Sequence, residues 1–422
     1  MEKQISKLFS LFTQEEISKY EYYETLSFVE IRYRTSLNFI PSSDDFLKAI
    51  PHISSRDKWE FKVLSEYEET VYSTHSDVGQ MDELTEIEVY IDTPVSLKFY
   101  ITKNNENAYL SIYKIDKFNE YLQGLPLMIF LNEFNSILSS KLIFECINDT
   151  IQSISTSSIA FISENEQLEL PGVQDRLNRL KKCAGSIHWG TFHVNILPED
   201  LYLSEDSSPI AHTLCSACGA LLCMYLFDYI SLTSSQLHLK IDGFKSLNYT
   251  FDVTKLSNFI MDHKTLNRYY ETYEWILSGG YVSDKYSIAR NIISINLHPS
   301  SIALSSNIID SIRSNFRIYE KDNVQQYIQL RNEISNLLID LQSKINEIVE
   351  GYANDFKNNL LVLISFFASV IVFGVISKDS PFVYFSNQVI ILSWAFLLIS
   401  YLYLRYSKRE FSKKKGFLLQ TI

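Results

Sequence analysis

The sequence predicts an α+β cytoplasmic body followed by a long α-helix and a two-helix transmembrane hairpin. Three observations carry that fold class. Short runs alternating apolar and polar residues fill the first part of the chain, helical periodicity dominates the second, and two uncharged apolar runs lie back to back at the end. Hydrophobic residues make up 46% of the 422, so the body can bury more than one core, while only 12 Gly and 9 Pro favour regular elements over loops.

Along the chain, Thr13-Gln-Glu-Glu16 reads as a capping box opening a short helix. Val29, Ile31 and Tyr33 alternate with Glu30, Arg32 and Arg34, a half-buried strand. Further strands are expected at Glu60–Val63, Ile87–Ile91, Val95–Thr102, Ala108–Tyr113, Lys141–Ile147, Ser157–Ser163 and Phe192–Ile196. Helices are expected at Ser43–Ile50, Leu127–Leu138, Val173–Cys183, Ile210–Ile230, Val253–Leu277 and Ser283–Leu297. This order divides the chain into a strand-rich α+β domain (1–165), a helix-rich domain (166–316), a coiled-coil-like coupling helix (317–358), a hairpin (359–405) and a basic tail (406–422).

Leu360–Ile376 and Gln388–Leu404 are free of charge, and each spans roughly 25 Å as a helix, near the ~30 Å hydrocarbon thickness once flanks are added. The apolar residues Phe382–Phe385 lengthen the second. The linker Ser377–Pro381 carries one cation, whereas Arg405, Lys408, Arg409, Lys413, Lys414 and Lys415 follow the second run at once. The positive-inside rule then places the C-terminus in the cytoplasm, and two crossings return the N-terminal body to the same side. No signal peptide opens the chain. The expectation is a multi-pass protein of the cell (inner) membrane with both termini cytoplasmic.

Ahead of the first run, Tyr327, Ile334, Leu341 and Ile348 recur at a spacing of seven, widened by Leu330, Leu337, Leu338, Ile345 and Tyr352. This seam predicts a helix that either self-associates or packs on its own body. It enters the membrane without a breaker, giving one helix of ~55 residues, ~80 Å long. The same period places Asp355, Asn358, Ser365 and Ser369 on one face. In a homo-oligomer that stripe lines a pore with an acidic, cation-favouring mouth; otherwise its serines let two helices pack closely.

Candidate chemistry in the body is sparse. Net charge is −12, and setting aside the basic tail leaves the body more acidic still, which disfavours non-specific nucleic-acid binding outside a local pocket. Nine acids and no Lys or Arg lie between Ser65 and Leu97, either a solvated face or an acidic vestibule that concentrates cations. Cys215, Cys218 and Cys223 with His212 suggest a metal cluster, but they lie in a run whose small and apolar residues read as a core helix. No metal, cofactor or catalytic constellation is predicted, and none of the phosphate-loop, nucleophile-elbow, zincin or kinase motifs occurs. Arg176, Arg179, Lys181 and Lys182, followed by His188, Trp189, Phe192 and His193, combine phosphate contacts with stacking rings, and Lys285 with Arg290 flank a helix start after Gly279-Gly280. These are the candidate contacts for an anionic ligand, with an ordinary solvated helix face and an ordinary helix–turn–helix join as the alternatives.

The layout of body, coupling helix and terminal hairpin, from about 317 to 415, resembles bacterial anti-phage membrane effectors in which a cytoplasmic sensor controls a C-terminal two-helix pore, of the Hailong channel type. The resemblance is one of domain order, and no motif carries residue roles across. It implies a ligand-gated, oligomeric channel in antiviral defence, a nucleotide or single-stranded DNA oligomer as ligand, and a partner nucleotidyltransferase that makes it. The rival readings are a membrane-anchored scaffold and a membrane-bound enzyme.

Overall fold

The computed structural model describes the chain except residues 16, 18, 77–83, 185–186, 190–194, 205–207, 377–386 and 421–422. It divides into two compact units, Met1–Arg317 and Ile318–Ile422.

The first unit opens with α1 (Glu2–Ser10), whose Ile5, Leu8 and Phe9 fall on one face and are buried. Then come β1 (Glu21–Glu24), β2 (Phe28–Ser36), α2 (Ser43–Ala49), β3 (Lys58–Leu64), β4 (Thr70–His75) and β5 (Pro94–Thr102). The strands form an antiparallel sheet in the order β1-β2-β5-β3-β4. Inward residues Val29, Ile31, Phe61, Leu97 and Phe99 build one core with Phe9, Phe12 and Phe46. The helix expected after Thr13 is absent from the described residues there: Phe12, just past the end of α1, packs into the core, and Thr13 accepts from the Thr35 hydroxyl at 2.7 Å. The strand expected at Ile87–Ile91 is a 3₁₀ helix, Leu84–Tyr90: Ile87 is buried but Val89 is exposed, so only one residue of the alternation finds the core. Part of the acidic stretch lies outside the described residues, and its Glu68 pairs with Arg32 at 3.0 Å.

A second sheet follows from β6 (Tyr109–Ile112), β7 (Leu142–Cys146), β8 (Ile154–Ser155) and β9 (Ile159–Ser163), with α3 (Ile115–Gly124) and α4 (Leu127–Ile137) in the crossover. β6, β7 and β9 run parallel, as a helical crossover permits, and β8 is an antiparallel edge. Then come α5 (Arg176–Ala184), β10 (His188–Trp189), α6 (Pro198–Leu201), α7 (Pro209–Leu226), β11 (Tyr229–Leu232), β12 (Gln236–Asp242), β13 (Ser246–Asp252), α8 (His263–Leu277) and α9 (Val282–Asn296). Strands β10-β11-β12-β13 make a third sheet.

The expected helix Ile210–Ile230 ends at Leu226 and gives way to β11. The one expected over 253–277 starts only at His263, where Asp262 accepts the Thr265 amide at 3.0 Å as an N-cap. Residues 192–194 of the expected strand 192–196 lie outside the described residues. Helix α7 is the centre of the unit: small residues let neighbours close in, and a Cβ on Gly219 would stand 3.2 Å from Met261 Sδ. The core around α7 draws in buried residues from Leu26 to Ile312.

The second unit holds most of α10 (Ile308–Ile376), one helix of 69 residues, and all of α11 (Asn387–Gln420). The expected linker 377–381 and the apolar residues 382–385 lie outside the described residues.

Candidate functional site in the helical hairpin and the cations of the body

Among the described residues three helices are long and apolar enough to cross a membrane by length and composition: α7, α10 and α11. In α7 that surface is already covered, with 83% of the apolar window buried in the body, whereas the windows in α10 and α11 are only 12% and 6% buried. Two apolar helices left uncovered by protein fit a bilayer as their solvent.

Helices α10 and α11 run antiparallel. Tyr352 meets Phe411 at 5.1 Å between ring centroids, and Phe366 stacks on Phe396 at 4.2 Å. Between them Ser407 Oγ donates to Asp355 Oδ2 at 2.7 Å, Tyr403 OH donates to Asp355 Oδ1 at 3.2 Å, and Asn359 Nδ2 donates to Ser400 Oγ at 2.7 Å. At ~100° per residue, Tyr352, Asp355, Asn359, Leu363 and Phe366 share an arc of ~80°, the face turned to α11. Asn358, Ser365 and Ser369 are exposed on a second face, centred about 100° away. The expected four-residue stripe therefore splits: Asp355 is spent on the partner helix, and the outward stripe is Asn358, Ser365 and Ser369. Ser369 Oγ donates to its own helix at Ser365 O, 2.8 Å away.

The expected basic tail is not a separate tail over its described length. It extends α11 to Gln420, and Lys413, Lys414 and Phe417 share a groove with Leu337, Leu341, Lys344 and Ile348. The apolar seam is thus divided as well. Leu341, Ile348 and Tyr352 are half-buried, while Tyr327, Leu330, Ile334, Leu337 and Leu338 remain 50–69% exposed.

In the body, four of the seven candidate ligand contacts are committed to protein partners. Arg176 forms a two-pronged pair with Asp200, one contact at 2.7 Å, and Asp200 is fully buried. Arg179 pairs with Glu199 and, at 2.8 Å, with Glu274. Burial raises the Glu199 carboxyl above its ordinary range, against the pull of Arg179 and the Tyr273 hydroxyl. Lys285 donates to Trp275 O at 3.1 Å and to Ser278 O, closing the C-terminus of α8. Arg290 donates to Leu226 O and Phe227 O, both at 2.9 Å, and pairs with Asp228 at 3.0 Å, closing α7 in the same way.

Both of these cations serve carbonyl ends. The helix start expected to offer free amides to an anion is instead opened by Tyr281, in the left-handed region at φ 59°. Lys181 is exposed and Lys182 half-buried on α5, and Trp189 pairs with Ile230 in the sheet; Phe192 and His193 lie outside the described residues.

The structure gathers a surface that the sequence reading missed. Across the third sheet, His188, Tyr229, Lys240 and Asn248 stand in one row, with Ser231, His238 and Thr250 in the next. His188 stacks on Tyr229 at 5.0 Å, and Lys240 Nζ sits 5.1 Å over the same ring. The alternate residues Ile230, Leu239 and Tyr249 point into the core. Strict alternation in Gln236–Asp242 and Ser246–Asp252 around Gly243 was the available signal. The face offers a stacking platform and donors in an open concavity.

The cysteines are core residues. All five are buried, and burial pushes the Cys183 thiol to about 11 and Cys146 to about 12, far from the thiolate that ligation needs. Among the described residues no three His, Cys, Asp or Glu side chains stand together as a metal site.

Compared with known proteins, the chain matches no family model, no curated sequence and no solved structure.

Proposed function

We propose that this chain is a homo-oligomeric membrane effector whose body senses a ligand and whose α10–α11 hairpin forms the conducting element. The observation that carries the reading is the pair of unfilled faces on α10. Its apolar seam from Tyr327 to Leu338 is exposed ahead of the apolar run, where lipid cannot cover it, and the Asn358–Ser365–Ser369 stripe is exposed within and beside that run. A second copy answers both demands at once: seams pair outside the bilayer, and polar stripes face one another around water within it. The layout resembles that of the anti-phage channel effectors of the Hailong type, and antiviral defence is the biological role this reading proposes.

For the sensor, a planar anionic ligand such as a nucleotide or a short single-stranded DNA, made by a partner nucleotidyltransferase, suits rings that stack and cations that neutralise. The His188–Tyr229–Lys240 face supports that ligand class better than Arg176 and Arg179: Lys240 is paired only with the exposed Asp242, at 2.9 Å, whereas the arginines are held by the buried Asp200 and Glu199.

The test is the full chain in liposomes with a dye reporting ion flux, alongside its subunit count in detergent. An oligomer whose flux changes when Ser365 and Ser369 become Val is the expected result. A monomer overturns the proposal, because two helices cannot enclose a water path. An oligomer that never conducts leaves the scaffold reading in its place.

A further inference from the structure

We propose that the groove where α10 and α11 leave the apolar run is a binding site for the anionic headgroup of a membrane phospholipid. This rests on the reading of the two helices as membrane-spanning. The groove, about 970 Å³, lies at the upper end of the ~300–1,000 Å³ range of small-molecule sites. Its two halves differ in chemistry. Tyr352 and Phe356 from α10 and Tyr401 and Leu404 from α11 make an aromatic and apolar wall. Arg405, Lys408, Arg409 and Lys413 make the other half, and no carboxylate lines the groove. Among the described residues none of these four cations has an ion pair, and the nearby Asp355 is occupied by Tyr403 and Ser407.

The change from wall to cations falls between Leu404 and Arg405, where the uncharged run ends. A phospholipid lying along α11 meets the same change: acyl and glycerol carbons against Tyr401 and Leu404, and phosphate against two guanidinium and two ammonium groups, with Tyr352 and Phe356 of α10 level with those cations as the groove's opposite wall. Arg405, Lys408 and Arg409 are spaced three and four residues apart, so they present one face. The neighbouring groove is unlike it. Lys344, Lys413 and Lys414 there stand with Asp340 and Glu347, so the anion preference belongs to one groove rather than to the whole basic segment.

The experiment uses the full chain purified in neutral detergent, with phosphatidylglycerol or phosphatidylcholine added and bound lipid counted by native mass spectrometry. Wild type should retain phosphatidylglycerol at least about tenfold over phosphatidylcholine, and R405Q/R409Q should lose about tenfold or more in that retention. K414Q/K415Q removes the same charge outside the groove and should keep the preference. Equal losses in both double variants overturn the site, since charge alone then explains binding. Equal retention of the two lipids by wild type overturns it too. Full competition by soluble glycerol phosphate overturns the lipid as the source of the phosphate. Wild type that fails to insert into vesicles removes the membrane reading and this site together, whereas insertion without lipid preference removes only the site.

Discussion

If the chain assembles through the α10 seam as proposed, replacing Leu330 and Leu337 by Asp should dissociate the assembly. Both continue the apolar seam ahead of the apolar run and are 59% and 61% exposed, Leu337 at the rim of the groove it shares with Phe417. Fully burying a leucine is worth about 1.5–3 kcal/mol, so covering the remaining surface recovers roughly 1–2 kcal/mol at each position. The double variant forfeits about 2–4 kcal/mol per copy, before the cost of desolvating two carboxylates is added. Since 1.4 kcal/mol is tenfold, the dissociation constant should rise by about two orders of magnitude or more. Mass photometry of the full chain across a dilution series reads this directly. N332D/N336D, which adds the same charges on the far side of the helix, should leave the assembly intact. Unchanged subunit number for L330D/L337D at every concentration would refute the reasoning, for it would mean that the seam is not an interface.

Two further predictions concern the body. Lys103 and Glu24 form an ion pair at 2.7 Å with both side chains fully buried, and Glu24 also accepts the amides of Tyr113 and Lys114. K103M should cost about 3–5 kcal/mol by leaving an unpaired buried carboxylate, read as a lower denaturant midpoint, and adding E24Q should restore part of it. At the β12–β13 turn a Cβ on Gly243 would stand 2.5 Å from Arg290 O, so G243A should cost about 1–3 kcal/mol; an unchanged melting temperature would show that the α9 backbone yields.

Periodicity made the long elements legible. The strands at β2, β3, β5, β7 and β9 and the helices α2, α4, α5 and α9 appear within a few residues of where alternation or helical spacing places them. What was lost was local. Helix α3 follows its strand so closely that no breaker separates them, whereas β12 and β13 carry the same alternation that predicts β2 and were legible in principle.

The candidate cations show a different limit. Arg176 and Asp200 are 24 residues apart and Arg290 and Leu226 64 apart, so a one-dimensional reading sees the charge without the group that answers it. On α10 the heptad count found the apolar and polar faces, but 3.5 and 3.6 residues per turn diverge over several turns. That drift is what assigned Asp355 to the outward stripe rather than to α11.

The division of α10 into two faces gives a prediction that separates gating from conduction. Asn359 and Ser400 are 9% and 7% exposed and bond each other, and Asp355 adds bonds to Tyr403 and Ser407 one turn away. These bonds fix the register of the two helices, so that movement of α10 carries α11 with it as one piece. Side-chain bonds between apolar helices average about 0.6 kcal/mol and reach ~1.7. N359L should therefore loosen the hairpin modestly, and Ser400 can turn its hydroxyl to its own helix.

In the channel reading, N359L changes the ligand concentration at which flux begins and leaves single-channel conductance alone. S365V/S369V, on the outward face, changes conductance and leaves hairpin stability alone. Single-channel recording paired with thermal melting distinguishes the two. If both variants moved the same quantity, the two faces would not be functionally distinct, and α10 would be acting as an anchor with no inside and outside.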